Sequence, residues 1–219
     1  DTSGRRPRAL DFHNPEDRVA ACRWYLDEAL ARWSRAGFRH IELAGFYWVA
    51  EHTKGRGENI LPQVGGAVRE RHRLFYWIPY WNAPGARDWR TLGFDMAYQQ
   101  PNHFFTPTLP DSRLDDTARF ARRFGMGLEM EWDARAMNKK ETFAPRLAAY
   151  LDAFERHGAW REAAVAHYEG GGAFGKLSRV EDDPALRALF TRYCRFLAAR
   201  QLAGATAPAP AEQAPAARP

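Results

Sequence analysis

Short apolar runs alternate with longer amphipathic stripes from Asn14 to Leu202, a pattern that predicts repeated strand–helix units. Asn14-Pro15-Glu16-Asp17 starts a helix: a capping amide, a proline at the first position, then acids in the first turn. Val19, Cys22, Leu26, Ala29, Leu30 and Trp33 follow at helical spacing as far as Gly37, which ends the helix. Phe38–Val49 is the first strand-like run, closed by a polar loop at Glu51–Glu58, and Ile60–Arg71 reads as a helix weakened by Gly65 and Gly66. Leu74–Tyr80 is the second run, followed by a loop at Trp81–Gly85 and a short helix around Asp88–Leu92. Phe94–Gln99, Met126–Trp132 and Ala163–Tyr168 are the remaining runs, with helices expected at Asp111–Phe124, Thr142–Arg156 and Pro184–Leu202. From Ala203 the sequence is rich in alanine and proline without periodicity, so 203–219 is expected to be a disordered tail or linker.

Five strands separated by helices imply a parallel sheet. No glycine-rich phosphate fingerprint follows any of them, which weighs against a doubly wound sheet. Aromatic and polar residues cluster instead at the strand ends, where barrel sites are built. The expected fold is therefore α/β, a (β/α)8 TIM-barrel-like domain over 1–202 of which only the C-terminal part, about strands four to eight, is present. Some three strands would then lie upstream of Asp1, unless another subunit or an open sheet compensates. The opening Asp-Thr-Ser-Gly-Arg-Arg-Pro carries neither an initiator methionine nor a signal sequence, and reads as the interior of a longer protein or a processed start.

Composition narrows the function classes. The 219 residues are 45% hydrophobic and 14% aromatic with eight tryptophans, a globular profile with many flat apolar side chains. The net charge of +5 comes from 32 basic and 27 acidic residues that are interspersed, so no basic stripe marks a nucleic-acid surface. No apolar run is long enough to span a membrane as a helix. Cys22 sits on the apolar stripe of the first helix and is expected to be a buried free thiol, with a long-range pairing to Cys194 left open. The histidines show no HxH or HExxH spacing, and no GxSxG elbow occurs, so neither a metal nor any other cofactor is called for.

Four segments, in this order, carry a resemblance: Glu42-Leu43-Ala44-Gly45-Phe46-Tyr47-Trp48, Trp77-Ile78-Pro79-Tyr80, Gly93-Phe94-Asp95 with Gln99-Gln100-Pro101-Asn102, and Gly127-Leu128-Glu129-Met130-Glu131. From about Leu10 to Gly172 the chain resembles the bacterial family known as domain of unknown function 4855. The resemblance implies a barrel of the carbohydrate-active type, a poly- or oligosaccharide partner, and an extracellular or cell-envelope setting; it carries no activity. His103 stands where the family pattern leads one to expect an aromatic residue.

The chemistry is concentrated in Gly125–Asp133. On a strand, Glu129 and Glu131 share one face while Leu128, Met130 and Trp132 take the other. Burying two carboxylates is costly unless something pairs with them or uses them. On the four-to-eight count Glu51 follows strand four and Glu131 ends strand seven, where many retaining barrel glycosidases place acid/base and nucleophile. That chemistry needs two carboxyl groups about 5–5.5 Å apart for retention or roughly 6.5–9.5 Å for inversion. One is kept protonated by an apolar setting, for which Trp48, Trp77 and Trp132 are candidates, and the other is kept ionised by donors. Glu51 is thus the expected acid/base and Glu131 the nucleophile, with the deeper Glu129 orienting substrate. Glu42 is expected to be a buried structural carboxylate, and Asp95 either a second acid or a turn residue. Tyr47, Trp48, Tyr80, Trp81 and Tyr168 offer flat faces to sugar C–H groups, and Asn82, Gln99, Gln100 and Asn102 offer amides to hydroxyls. His167 closes the last strand near the same place. The expected function is a glycoside hydrolase acting on a polysaccharide or cell-envelope glycan, the alternative a noncatalytic carbohydrate-binding protein on the same scaffold.

Overall fold

The structure, a computed structural model, describes residues 9–54, 60–138 and 143–206. Helix α1 (Pro15–Ala36) starts and stops where its caps dictate: Asn14 Oδ1 accepts the Glu16 N–H at 2.9 Å, and Gly37 takes a left-handed φ of 63°. Then come β1 (Gly45–Trp48), α2 (Leu61–Glu70), β2 (Leu74–Trp77), β3 (Met96–Gln99), α3 (Ser112–Phe124), β4 (Gly127–Asp133), α4 (Phe143–Arg156), α5 (Ala159–Glu162), β5 (Val165–Gly170), α6 (Ala173–Leu177) and α7 (Pro184–Thr206). Helix α7 runs through 203–206, where the disordered tail was expected to begin; past Thr206 that tail lies outside the described residues, as do parts of the Glu51–Glu58 loop and Thr142.

The five strands form one curled sheet in the order β1-β2-β3-β4-β5, every pair parallel. A doubly wound sheet would reverse direction at a switch point, and this one does not. Register assigns the faces, because paired residues of parallel strands point the same way. Tyr47 lies opposite Tyr76, Tyr76 opposite Met96, Tyr98 opposite Gly127, Glu129 opposite Ala166 and Glu131 opposite Tyr168. These side chains share the inner face. The other face carries Phe75, Trp77, Ala97, Leu128, Met130 and Trp132, all buried in the core that the helices cover. Trp77 stacks on Phe94 at 5.0 Å, and Trp132 meets Tyr193 of α7 edge-on. The inner face is only partly covered: Tyr47, Leu74 and Tyr168 are 44%, 42% and 51% exposed.

Three expectations change. Only Gly45–Trp48 of the Phe38–Val49 run is strand; Phe38 and Ile41 are exposed, and Glu42 is an exposed residue outside any strand rather than a buried structural carboxylate. The helix around Asp88–Leu92 is a 3-10 turn at Ala86–Asp88, and α5 and α6 are too short to leave a periodic signal, each following a left-handed glycine, Gly158 and Gly172. Both cysteines are free thiols, and Cys22 is half-buried rather than buried.

The glycine pair in α2 divides by its surroundings. A Cβ on Gly65 would run into the Gly93 carbonyl, where α2 meets the loop before β3, whereas nothing lies within 4 Å of one on Gly66. Gly65→Ala is expected to cost at least about 2 kcal/mol through overpacking. Gly66→Ala should stabilise by up to about 1 kcal/mol through helix propensity. Paired urea melts check the opposite signs, and equal effects of the two would refute the close approach.

Candidate active site

Strand β4 is buried along its length, so its two glutamates lie inside the protein: Glu129 is 7% and Glu131 4% exposed. Glu131 is held. Its Oε2 accepts the Asn102 backbone N–H at 2.7 Å and the Tyr150 hydroxyl, donated from α4, at 3.0 Å. Asn102 adopts a left-handed φ of 50°, and its amide is used up in the turn: Oδ1 accepts the Trp81 N–H at 2.6 Å and Nδ2 donates to Gln100 Oε1 at 2.8 Å. Gln100 Nε2 in turn donates to the Ile78 carbonyl at 2.9 Å.

One turn before Tyr150, Arg146 gathers the loop that follows β3. Its guanidinium donates to the carbonyls of Thr106 at 2.9 Å, Leu109 at 3.2 Å, Phe104 at 3.3 Å and Pro107 at 3.4 Å, and also to that of His103. His103 is fully buried against Asp111 (2.8 Å) and edge-on to Tyr150, so it braces the loop and presents no stacking surface.

At the C-terminal edge of the sheet a cavity of about 700 Å³ opens on the inner face. Tyr47, Glu51, Gln100, Asn102, Glu129, Glu131 and Tyr168 line it, together with Ile78, Phe105, Asp133, Arg135 and His167. Seven expected site residues thus converge from β1, β4, β5 and the turn after β3. Asp133 and Arg135 were missed, although Asp133 is one more alternation along the Glu129–Glu131 face. Tyr150 was missed because nothing in its helix marks it, beyond the need of a buried tyrosine hydroxyl for a partner.

Five expected residues lie elsewhere. Trp48 points to the helix side of β1, edge-on to Phe75. Trp81 packs against Phe120 of α3 with the Arg113 guanidinium 4.9 Å from its ring. Tyr80 meets His52 edge-on, and Asn82 is a left-handed turn residue with φ 57°. Gln99 is fully buried and clamps the ends of β2 and β3, donating to the carbonyls of Pro79, Tyr80 and Gln100. Gln100 and Asn102 line the cavity, but their amides serve the loop network described above. Trp77 and Trp132 face the core, so neither forms the apolar wall expected of it. Asp95 is structural, accepting the Phe75 N–H at 2.8 Å and facing Arg69 at 3.3 Å.

The electrostatics follow from burial. Desolvation, then the neighbouring charges of Glu131 and Glu51, push the Glu129 carboxyl up to about 8; it has no hydrogen-bond partner among the described residues. Burial pushes Glu131 up to about 7 against the pull of its two donors, with Glu51 adding to the rise. Burial, then the charges of Glu129 and Glu51, push the Tyr47 hydroxyl up to about 12. Both carboxyls are thus held above the usual carboxylate range, chiefly by burial. Asp133 is different: it binds Arg135 Nε through both oxygens, at 3.0 and 3.1 Å, while the guanidinium lies over the rings of Phe143 and Phe105. A further cavity of about 410 Å³ opens between β3, β4 and α3, but its acids are already matched, Asp95 with Arg69 and Glu162 with Arg122.

No curated protein matches the chain. A solved structure described as a "putative alpha-L-fucosidase" from Bacteroides thetaiotaomicron is similar at 14% identity and a TM-score of 0.48. The match covers 84% of this chain but 63% of that one, so the chain spans less than two thirds of that protein's length. The model of the family named domain of unknown function DUF4855 matches residues 8–195, in agreement with the four motifs, and the chain belongs to that family.

Proposed function

We propose that the cavity is the hydrolytic centre of a glycosidase acting on extracellular or cell-envelope poly- or oligosaccharide, and that the five strands are part of a complete (β/α)8 barrel. The observation that carries this reading is the meeting of Glu51, from the loop after β1, with Glu129 and Glu131 of β4 in one cavity at the C-terminal edge of a parallel sheet. That edge is where barrel enzymes assemble their sites from separate strand ends. The sequential strand order supports the barrel, since β1 and β5 are left as edges to which further strands pair.

In this mechanism Glu131 is the nucleophile. Asn102 and Tyr150 hold Oε2, which aims the remaining oxygen at the anomeric carbon and stabilises the ionised form. Glu51, which lies exposed at the mouth and not in the apolar setting expected of the acid, protonates the leaving oxygen and then deprotonates the attacking water once the bound sugar covers it. Tyr47 and Tyr168 flank the sugar. Screening glycans for hydrolysis and then testing variants checks the assignment. Glu131→Gln is expected to lower kcat/KM on the order of a thousandfold or more. Glu51→Gln should lower it by about a hundredfold, and far less with nitrophenyl glycosides, whose leaving group needs no proton. Unchanged rates in both variants would refute the pair. Glycan binding without turnover would assign the cavity to a noncatalytic carbohydrate-binding protein.

A further inference from the structure

Resting on the glycan reading, we propose that the sugar bound in this cavity is an amino sugar, its free ammonium group seated against Glu129. Four carboxyl groups line the cavity: Glu51, Glu129, Glu131 and Asp133. Among the described residues Arg135 is the one arginine or lysine lining it, and Asp133 already holds it. Glu131 has two donors from the protein. Glu129, 7% exposed and turned into the cavity, has none among the described residues. A buried carboxyl without a partner costs stability that a bound group can restore.

The missing group must bring both donors and positive charge. Among the described residues the carboxyl groups outnumber the single arginine by three, so the concave, partly desolvated space favours a cation, whose arrival would also draw Glu129 into its ionised form. A sugar hydroxyl brings donors without charge. A metal ion brings charge, but no group of three or more His, Cys, Asp or Glu among the described residues is placed to hold one. A primary ammonium brings three donors and one charge, and the exposed rings of Tyr47 and Tyr168 at the walls suit both a pyranose face and a neighbouring cation. The class fitted is a hexosamine with its amine free; N-acetylation would remove the charge.

Ligand-observed NMR titration of the protein with D-glucosamine and D-galactosamine, beside N-acetyl-D-glucosamine and D-glucose, tests this. The free amines are expected to bind at least tenfold more tightly than the acetylated and neutral sugars. Glu129→Gln should reduce that preference at least fivefold, and Glu51→Gln, at the exposed rim where folding is not at stake, by a smaller factor. Equal binding of all four sugars would overturn the proposal and leave the glycan reading standing; binding of none would overturn both. Spermidine binding as tightly as the amino sugars would overturn it too, by showing a cation site without sugar recognition.

Discussion

Raising the pH from 5 to 8 is expected to cost this protein several kcal/mol of folding stability, and Glu129→Gln to recover most of that loss. A carboxyl whose folded pKa lies above its unfolded value binds more protons folded than unfolded, so stability falls as pH rises between the two values. Glu129 spans the interval from 4.5 to about 8, and Glu131 from 4.5 to about 7. At about 1.4 kcal/mol per unit the upper limits are on the order of 5 and 3–4 kcal/mol. Both contributions are fully favourable below pH 4.5 and exhausted above the folded values. Asp27 and Asp115, held below the usual carboxylate range by Arg71 and by Arg156 and His157, act with the opposite sign, losing stability as the pH drops through the acid range. Asp27 is an exposed partner and contributes little. Urea unfolding at pH 5, 6.5 and 8 reads the slope directly. A flat profile in the parent chain, or an equally steep one in Glu129→Gln, would show that neither carboxyl is desolvated as described.

Arg146→Met is the second large effect. The substitution keeps the apolar stem but strips a donor from five carbonyls of the loop between His103 and Leu109; those of His103 and Thr106 keep one backbone partner each, the Thr106 and Leu109 N–H groups, while the buried Phe104 and half-buried Leu109 carbonyls lose theirs. Losing the donor to these acceptors is expected to cost about 3–5 kcal/mol in all. For a domain of this size that lowers Tm by roughly 10 °C. The exposed Arg156, paired with Asp115 at 2.8 Å, is the control, and Arg156→Met should cost less than about 1 kcal/mol. The damage should also reach the cavity, because the loop begins beside Asn102, whose N–H holds Glu131. Calorimetry of the two variants side by side decides it; similar losses would mean that the buried clamp is no stronger than a surface pair.

Alternation made the Glu129–Glu131 face readable from sequence, since two acids two apart in an apolar run have one arrangement on a strand. The ends of α1 were equally plain, because asparagine and glycine each satisfy a specific backbone need there. Position near a strand end was a poorer guide to the site than face. Tyr47 and Trp48 are neighbours at the end of β1, yet only Tyr47 reaches the cavity, and the two could be told apart only once the strand was known to start at Gly45. The amides of Gln99, Gln100 and Asn102 have the chemistry of sugar ligands, but a loop with this many buried backbone groups needs the same chemistry for itself. Arg146 carried a signal that went unread: an arginine in a helix among Phe143, Leu147, Tyr150 and Leu151 is anomalous unless it has acceptors waiting. Which loop supplies them is a tertiary fact.

The strand order also bears on how the polypeptide folds during synthesis. Each strand pairs with the one made just before it, so the sheet can grow by closing one crossover at a time, without waiting for strands made much later. The six-residue β4–β5 register comes last and is the longest of the four. Its completion covers the inner face beside Glu129 and Glu131, since Ala166 and Tyr168 are their partners across the pair. Desolvation of the two glutamates is therefore expected to be a late event, complete only once β5 has been added.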